Sequence, residues 1–252
     1  MRKLFDFAFF PDFDSRLAEL KELAMPENWE YRFSTIERKF PILYNYLHYT
    51  FERLQYEDKI AIEGDYACFN TGLVTKNQED IFALFQENKK LDAKQDWFFI
   101  KFCKYSDPSL RVITTLPDTA HYFDDPSELL YDARLELRTN VDHIIQDNRD
   151  RFPAPLNEEK YHHQLRITLH GAITDAINRN KRNYKTAIPQ FYQNRIQLLL
   201  PLYLTSYDSP DLALAVYKHD GKFYMATTCL TLDMAYNNAR LIARPDMEWL
   251  IP

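Results

Sequence analysis

Leu212–Leu230 reads LALAVYKHDGKFYMATTCL, and this stretch decides the fold class. Two runs rich in apolar, β-branched and aromatic residues, Leu212–Lys218 and Phe223–Leu230, flank His219-Asp220-Gly221. Asp-Gly supplies the positive backbone angles of a tight turn, so the pattern predicts a β-hairpin. Ile196–Leu204 just upstream is a third run of the same kind. Before it, the period changes. Across Glu158–Asn180, residues Tyr161, Leu165, Leu169, Ala172, Ile173, Ala176 and Ile177 recur at steps of three and four. That spacing predicts one long amphipathic helix. Hairpin strands beside a long helix are an α+β arrangement, with short connections favouring antiparallel pairing.

The N-terminal half repeats this alternation. Asp14–Ala24 carries Leu17, Leu20 and Ala24 on one side and reads as a short helix. Ser34 and Glu37 form a capping-box signature, and the helix they open must bend or restart at Pro41. From there Leu43, Leu47, Phe51 and Leu54 extend a helix to near Gln55. Lys59–Glu63 and Tyr66–Asn70 flank Gly64-Asp65 as a second hairpin, followed by strands at Asp80–Gln86 and Trp97–Lys104 and a further one at Arg111–Thr115. Helices are expected at Ser127–Arg134, Asn140–Asp147 and Leu232–Ala243. The expectation is one α+β domain over residues 1–252: a mostly antiparallel sheet or partly closed barrel with packed helices, its strands drawn from both halves, and residues 1–57 a helical segment packing on it. Arg151–Leu156 is the one candidate seam.

The chain has 252 residues, 46% hydrophobic and 27% charged, a composition that supports a sizeable core. With 17 Tyr and 18 Phe, aromatic packing should dominate it. A net charge of −6 counts against a duplex-DNA binder and leaves nucleic-acid contact to local patches. The start, MRKLFDFAFFPDFD, resembles a signal peptide, but Asp6, Pro11 and Asp12 interrupt it and no small-residue cleavage site follows. No apolar run approaches about 18 residues, so no membrane partner is expected. Cys68, Cys103 and Cys229 are odd in number and widely spaced among apolar neighbours, which reads as buried thiols in a reducing, cytoplasmic compartment.

Four glycines leave no GxGxxG, GxxxxGK[ST] or GxSxG, so dinucleotide, P-loop and hydrolase-elbow cradles are excluded. HExxH is absent too. Five polar segments remain. Phe69-Asn70-Thr71-Gly72-Leu73 offers an amide, a hydroxyl and close backbone approach for a phosphate, ribose or base edge; a local turn uses the same residues. Asn140–Arg151, NVDHIIQDNRDR, pairs His143 with Asp147 one turn on, which is general acid/base equipment or a solvated helix end. His162, Arg166 and His170 share one helix face, where an arginine in the middle argues against a metal. Asn178–Lys185, NRNKRNYK, gathers Arg179, Lys181, Arg182 and Lys185 around Tyr184; it suits phosphates and a stacked base, or simply the negative end of a helix dipole. Leu232–Arg244, LDMAYNNARLIAR, places Tyr236, Asn237, Asn238 and Arg240 on a helix that otherwise looks buried, where adjacent Asn need a hydrogen-bonding reason.

FNTGL, NVDHI, AIPQFYQNRIQLLLPLYL and LTLDMAYNNARLIARPDMEWL together resemble an uncharacterised bacterial domain family found alone or beside LOTUS-type (OST-HTH) and cold-shock-like modules. The resemblance covers about Phe69 to Leu250 and implies, by context, a role on RNA or nucleotides. The positions that carry it are Asn70, Thr71, Gly72, Asn140, His143, Gln190, Asp233, Tyr236, Asn237, Asn238 and Arg240. The leading expectation is an RNA- or nucleotide-directed, metal-independent phosphoester or phosphoanhydride hydrolase without a cofactor. In it His143, Asp233 and Arg240 are catalytic; Asn70, Thr71, Gly72, Asn140, Arg179, Arg182, Gln190, Tyr236, Asn237 and Asn238 bind the ligand. The alternatives are a non-catalytic nucleotide or single-stranded RNA binding module, and a protein-interaction or toxin-associated subunit. Oligomeric state is not legible.

Overall fold

A computed structural model describes residues 3–33, 37–90, 92–246 and 248–250. Ser34 of the expected capping box lies outside them, and residues 37–40 are not helical. The chain is α+β, with mostly antiparallel sheets, neither closed into a barrel. Its backbone contacts gather into two compact units: residues 1–31 with 35–121, and 32–34 with 122–252. Each unit has its own five-stranded sheet, so the expected single sheet shared by both halves is replaced by two. The division falls after His121, not at Arg151–Leu156.

In the first unit, α1 (Leu4–Phe7) leads into β1 (Ala8–Phe9), α2 (Phe13–Leu23) and α3 (Pro41–Tyr56). Pro41 opens α3 at its first position, where the missing N–H costs nothing. The sheet runs β1, β5 (Trp97–Lys104), β4 (Asp80–Glu87), β3 (Tyr66–Val74), β2 (Ala61–Glu63). All pairings are antiparallel except β1 with β5. The Gly64-Asp65 turn joins Glu63 to Tyr66 as expected. Helices α2 and α3 pack on β5 and β3. The rings of Phe51, Phe69, Phe85 and Phe99 meet in sequence at 5.4, 5.6 and 5.7 Å. Cys68, Phe82, Leu84 and Cys103, one residue out of phase, form a separate cluster with Leu110 and Ile113. Burial on both faces explains why β3 and β4 read as nearly continuous apolar runs.

The second unit contains β6 (Leu137–Arg138), α4 (Val141–Asn148), α5 (His162–Arg182), β7 (Ile188–Tyr192), β8 (Arg195–Leu202), β9 (Leu212–His219), β10 (Phe223–Leu230) and α6 (Leu232–Arg240). The strand order is β6-β10-β9-β8-β7, antiparallel apart from β6 with β10. The α5 stripe of Leu165, Leu169, Ala172, Ile173 and Ala176 packs with Leu198, Leu200, Leu214 and Val216 of the sheet. Leu199, Ala213 and Ala215 alternate with those positions and are also fully buried; α6 packs against β7, β9 and β10.

Two expected elements are short 3-10 turns instead. The strand at Arg111–Thr115 is replaced by Pro108–Val112, and the helix at Ser127–Arg134 by Pro126–Leu129. Both begin with Asp-Pro-Ser. The Asp107 and Asp125 carboxylates accept the Ser109 and Ser127 N–H at 2.9 and 2.8 Å. This side-chain bond offers the backbone a turn in place of a ladder.

Candidate functional site

Asn70, Thr71 and Gly72 sit at a bulge in β3, where pairing with β4 slips between Asn70 and Val74. Asn70 Nδ2 donates to Asp80 Oδ2 at 3.2 Å, and its Oδ1 accepts the Gly72 N–H at 2.9 Å. The Thr71 hydroxyl donates to the Ile81 carbonyl at 2.6 Å and accepts the Leu73 N–H at 3.2 Å. Tyr46 Oη donates to the Thr71 carbonyl at 3.0 Å. Gly72 has φ +73°, and a Cβ there would lie 2.6 Å from Tyr46 Oη. Every side-chain polar atom of this motif therefore has a local task, and Asn70 and Thr71 are buried.

Asn140 is the N-cap of α4: its Oδ1 accepts the His143 N–H at 3.2 Å. The His143 side chain is 62% exposed and its Nε2 lies 3.3 Å from Asp147 Oδ2. On α6 the polar residues turn inward. Asp233 is buried, and its two oxygens accept the backbone N–H groups of Arg32 and Phe33 at 3.1 and 3.3 Å. Asn237 Nδ2 donates to the Asp233 carbonyl at 3.0 Å. Asn238 Nδ2 donates to Gln190 Oε1, and Gln190 Nε2 donates to Gln197 Oε1, both at 3.0 Å. Tyr236 and Arg240 are buried as well. Adjacent asparagines on α6 thus have their hydrogen-bonding reason inside the fold, which satisfies groups that are costly to bury alone.

A cleft of about 1120 Å³ opens in the second unit, at the C-terminal end of α5. Arg179, Arg182 and Lys185 of the basic patch line it. Arg179 Nε donates to Asp175 Oδ2 at 2.7 Å, and its guanidinium lies 4.0 Å from the centre of the Tyr203 ring. The bond to Asp175 raises the Arg179 pKa above its ordinary value, so this cation is fixed. Burial raises the Tyr203 phenol, which stays neutral. Among the described residues, the side chains of Arg182 and Lys185 have no hydrogen-bond or ion-pair partner. Both are exposed at the cleft.

Arg151 and Arg32 add two more cations to the same wall. Arg151 Nη1 donates to Asn148 Oδ1 at 2.6 Å, to the Cys229 carbonyl at 2.6 Å and to Thr228 Oγ1 at 3.2 Å. One end of the guanidinium is thereby anchored. Phe33, Tyr203 and Trp249 supply aromatic surface, with Trp249 Nε1 held by the Thr186 carbonyl at 2.9 Å. Three carboxylates are present. Asp211 accepts the N–H groups of Leu204 and Thr205 at 2.8 and 3.0 Å, and Asp208 accepts the Ser206 hydroxyl at 3.4 Å, so both brace their loop. The third is Asp246. None of His143, Asp233 and Arg240 lines the cleft.

Residues 20–249 match the family described as Domain of unknown function (DUF3825). The chain belongs to the DUF3825 family. No curated protein and no solved structure matches it. In this DUF3825 domain the expected site residues fall into groups with different surroundings. Arg179 and Arg182 line the cleft, Gln190 and the α6 residues hydrogen-bond within the second unit, and Asn70–Gly72 shape a strand of the first. Arg32, Phe33, Tyr203, Asp246 and Trp249 are additions that sequence reasoning missed. Arg151 stood in the NVDHIIQDNRDR segment without a role. Trp249 and Asp246 carried a readable signal: both fall in the final segment, past the end of the last helix, where loop residues line sites.

Proposed function

We propose that this DUF3825 domain binds a nucleotide or single-stranded RNA in the basic cleft of its second unit. The observation that carries the reading is the gathering of five cations and three aromatic rings around one concavity, with Arg182 and Lys185 unpartnered among the described residues. Cations without an internal partner are available for phosphate, and aromatic faces accept bases of any sequence. Against a net charge of −6, the cleft is a local exception, suited to a short anionic ligand rather than to duplex. The resemblance to domains found beside LOTUS-type and cold-shock-like modules supports the same ligand class as context. Hydrolysis would need a general acid or base beside the phosphate. His143 stands outside the cleft, and Asp208 and Asp211 are committed to their loop. Among the described residues, Asp246 is then the one lining carboxylate without a task, with no second group beside it to act as its acid or base partner. Binding is therefore favoured over cleavage.

Fluorescence anisotropy with a labelled oligouridylate of about ten nucleotides tests this. Saturable binding that weakens with salt is expected, and Arg182→Ala with Lys185→Ala should flatten the log–log salt slope by about 0.7 per lost phosphate contact. Absence of saturable binding at low salt, or an unchanged slope in the double variant, overturns the reading.

A further inference from the structure

A second concavity of about 320 Å³ adjoins the cleft and differs from it in chemistry. Ala187, Ile188 and Ala239 are buried among its lining, while Leu130 and Tyr184 stand 51% and 62% exposed. Two residues, Lys185 and Asp246, line both concavities. A ligand occupying both meets the cations of the cleft at one end and a mainly apolar surface that also carries Arg244 at the other, and passes an ammonium and a carboxylate between them.

We infer that groove and cleft form one ribonucleotide site, with the base in the groove, the ribose hydroxyls on Asp246 and the phosphate on Lys185 and Arg182. This rests on the phosphate-binding reading of the cleft. The groove's volume lies at the low end of small-molecule sites, the size of a base rather than of a long apolar chain. Tyr184 supplies an aromatic face at its exposed side, suited to stacking. Asp246 gives the strongest indication. A carboxylate among phosphate-binding cations repels the ligand unless the ligand presents donors to it. No hydrogen bond or ion pair ties Asp246 among the described residues, in contrast to Asp211. Ribose hydroxyls are such donors, and a carboxylate accepting from them is a recurring device for ribose. The arrangement thus distinguishes ribonucleotides from deoxyribonucleotides.

Calorimetry with three probes at millimolar concentration separates the parts: adenosine monophosphate, its deoxy counterpart, and ribose phosphate. Adenosine monophosphate should bind about tenfold tighter than ribose phosphate, the contribution of one stacked base. Ala243→Trp, an exposed position on the groove, should reduce adenosine monophosphate to the level of ribose phosphate and leave ribose phosphate unchanged. Asp246→Asn should narrow the gap between adenosine monophosphate and its deoxy form, and leave the deoxy form no weaker. Equal affinity for adenosine monophosphate and ribose phosphate, both weakened by Arg182→Ala, overturns the groove and leaves the cleft standing. No binding of any probe overturns the single-nucleotide site and leaves the cleft standing if the labelled oligouridylate still binds; loss of both overturns both.

Discussion

Two polar clusters of the second unit look alike as sequence, and among the described residues the structure leaves cations unpartnered in only one of them. LDMAYNNAR on α6 and NRNKRNYK at the end of α5 each combine asparagine, tyrosine and basic residues. On α6 the carboxylate and amides turn inward: Asp233 holds the N–H groups of Arg32 and Phe33, and Asn238 holds Gln190. At the end of α5, Arg182 and Lys185 stay outside with no partner among the described residues. The composition of a polar cluster does not separate scaffold from site. What separates them is whether the donors and acceptors already have partners.

That contrast can be broken experimentally. Asp233→Ala leaves two backbone donors without their acceptor and should lower unfolding free energy by about 3 kcal/mol in urea melts. A wild-type midpoint in that variant would show that the α6 cluster is not structural. Gly72→Ala sharpens the same point in the first unit. Its Cβ meets Tyr46 Oη and its φ is +73°, so a loss of about 2 kcal/mol is expected. Adding Tyr46→Phe should restore part of that loss by removing the clash, and a double-mutant cycle measures how much.

Burial holds the thiols of Cys68, Cys103 and Cys229 up at about 12, above their ordinary value of 9.0. The folded chain therefore keeps protons that the unfolded chain releases. The stability this contributes is complete below pH 9 and is lost as pH rises toward about 12. Denaturant melts across that window should show a decline that is shallower in Cys229→Ala. The smallest effects belong to exposed residues. Arg182→Ala, Lys185→Ala and His143→Ala should each change stability by less than about 0.5 kcal/mol, and only the first two should weaken binding of RNA.

The hairpins were legible because Gly64-Asp65 and Asp220-Gly221 carry turn chemistry between alternating runs. The long helix was legible from its seven-residue stripe. β7 was not, because Pro189 sits inside it and Gln193-Asn194, both at positive φ, is an unfamiliar tight turn. β1 and β6 have two residues each and pair in parallel, with no hairpin signal to betray them. The basic density around Arg182, legible as a cluster, lies on the cleft wall. Tyr203 and Arg32 come from distant parts of the chain, and only tertiary packing brings them to it. The Asn70 motif was ambiguous for a physical reason: the residues that accept a ligand are also those that stabilise a bulge.

The position of Pro189 has a consequence beyond the reading of β7. An outer strand presents unpaired N–H and C=O groups on which another chain can add itself. Here the outer strands of the two sheets differ in length. β1, β2 and β6 have two or three residues, and the one longer outer strand, β7, carries a residue with no N–H to offer. On β7 the missing N–H takes away one point at which another chain could add itself as a strand.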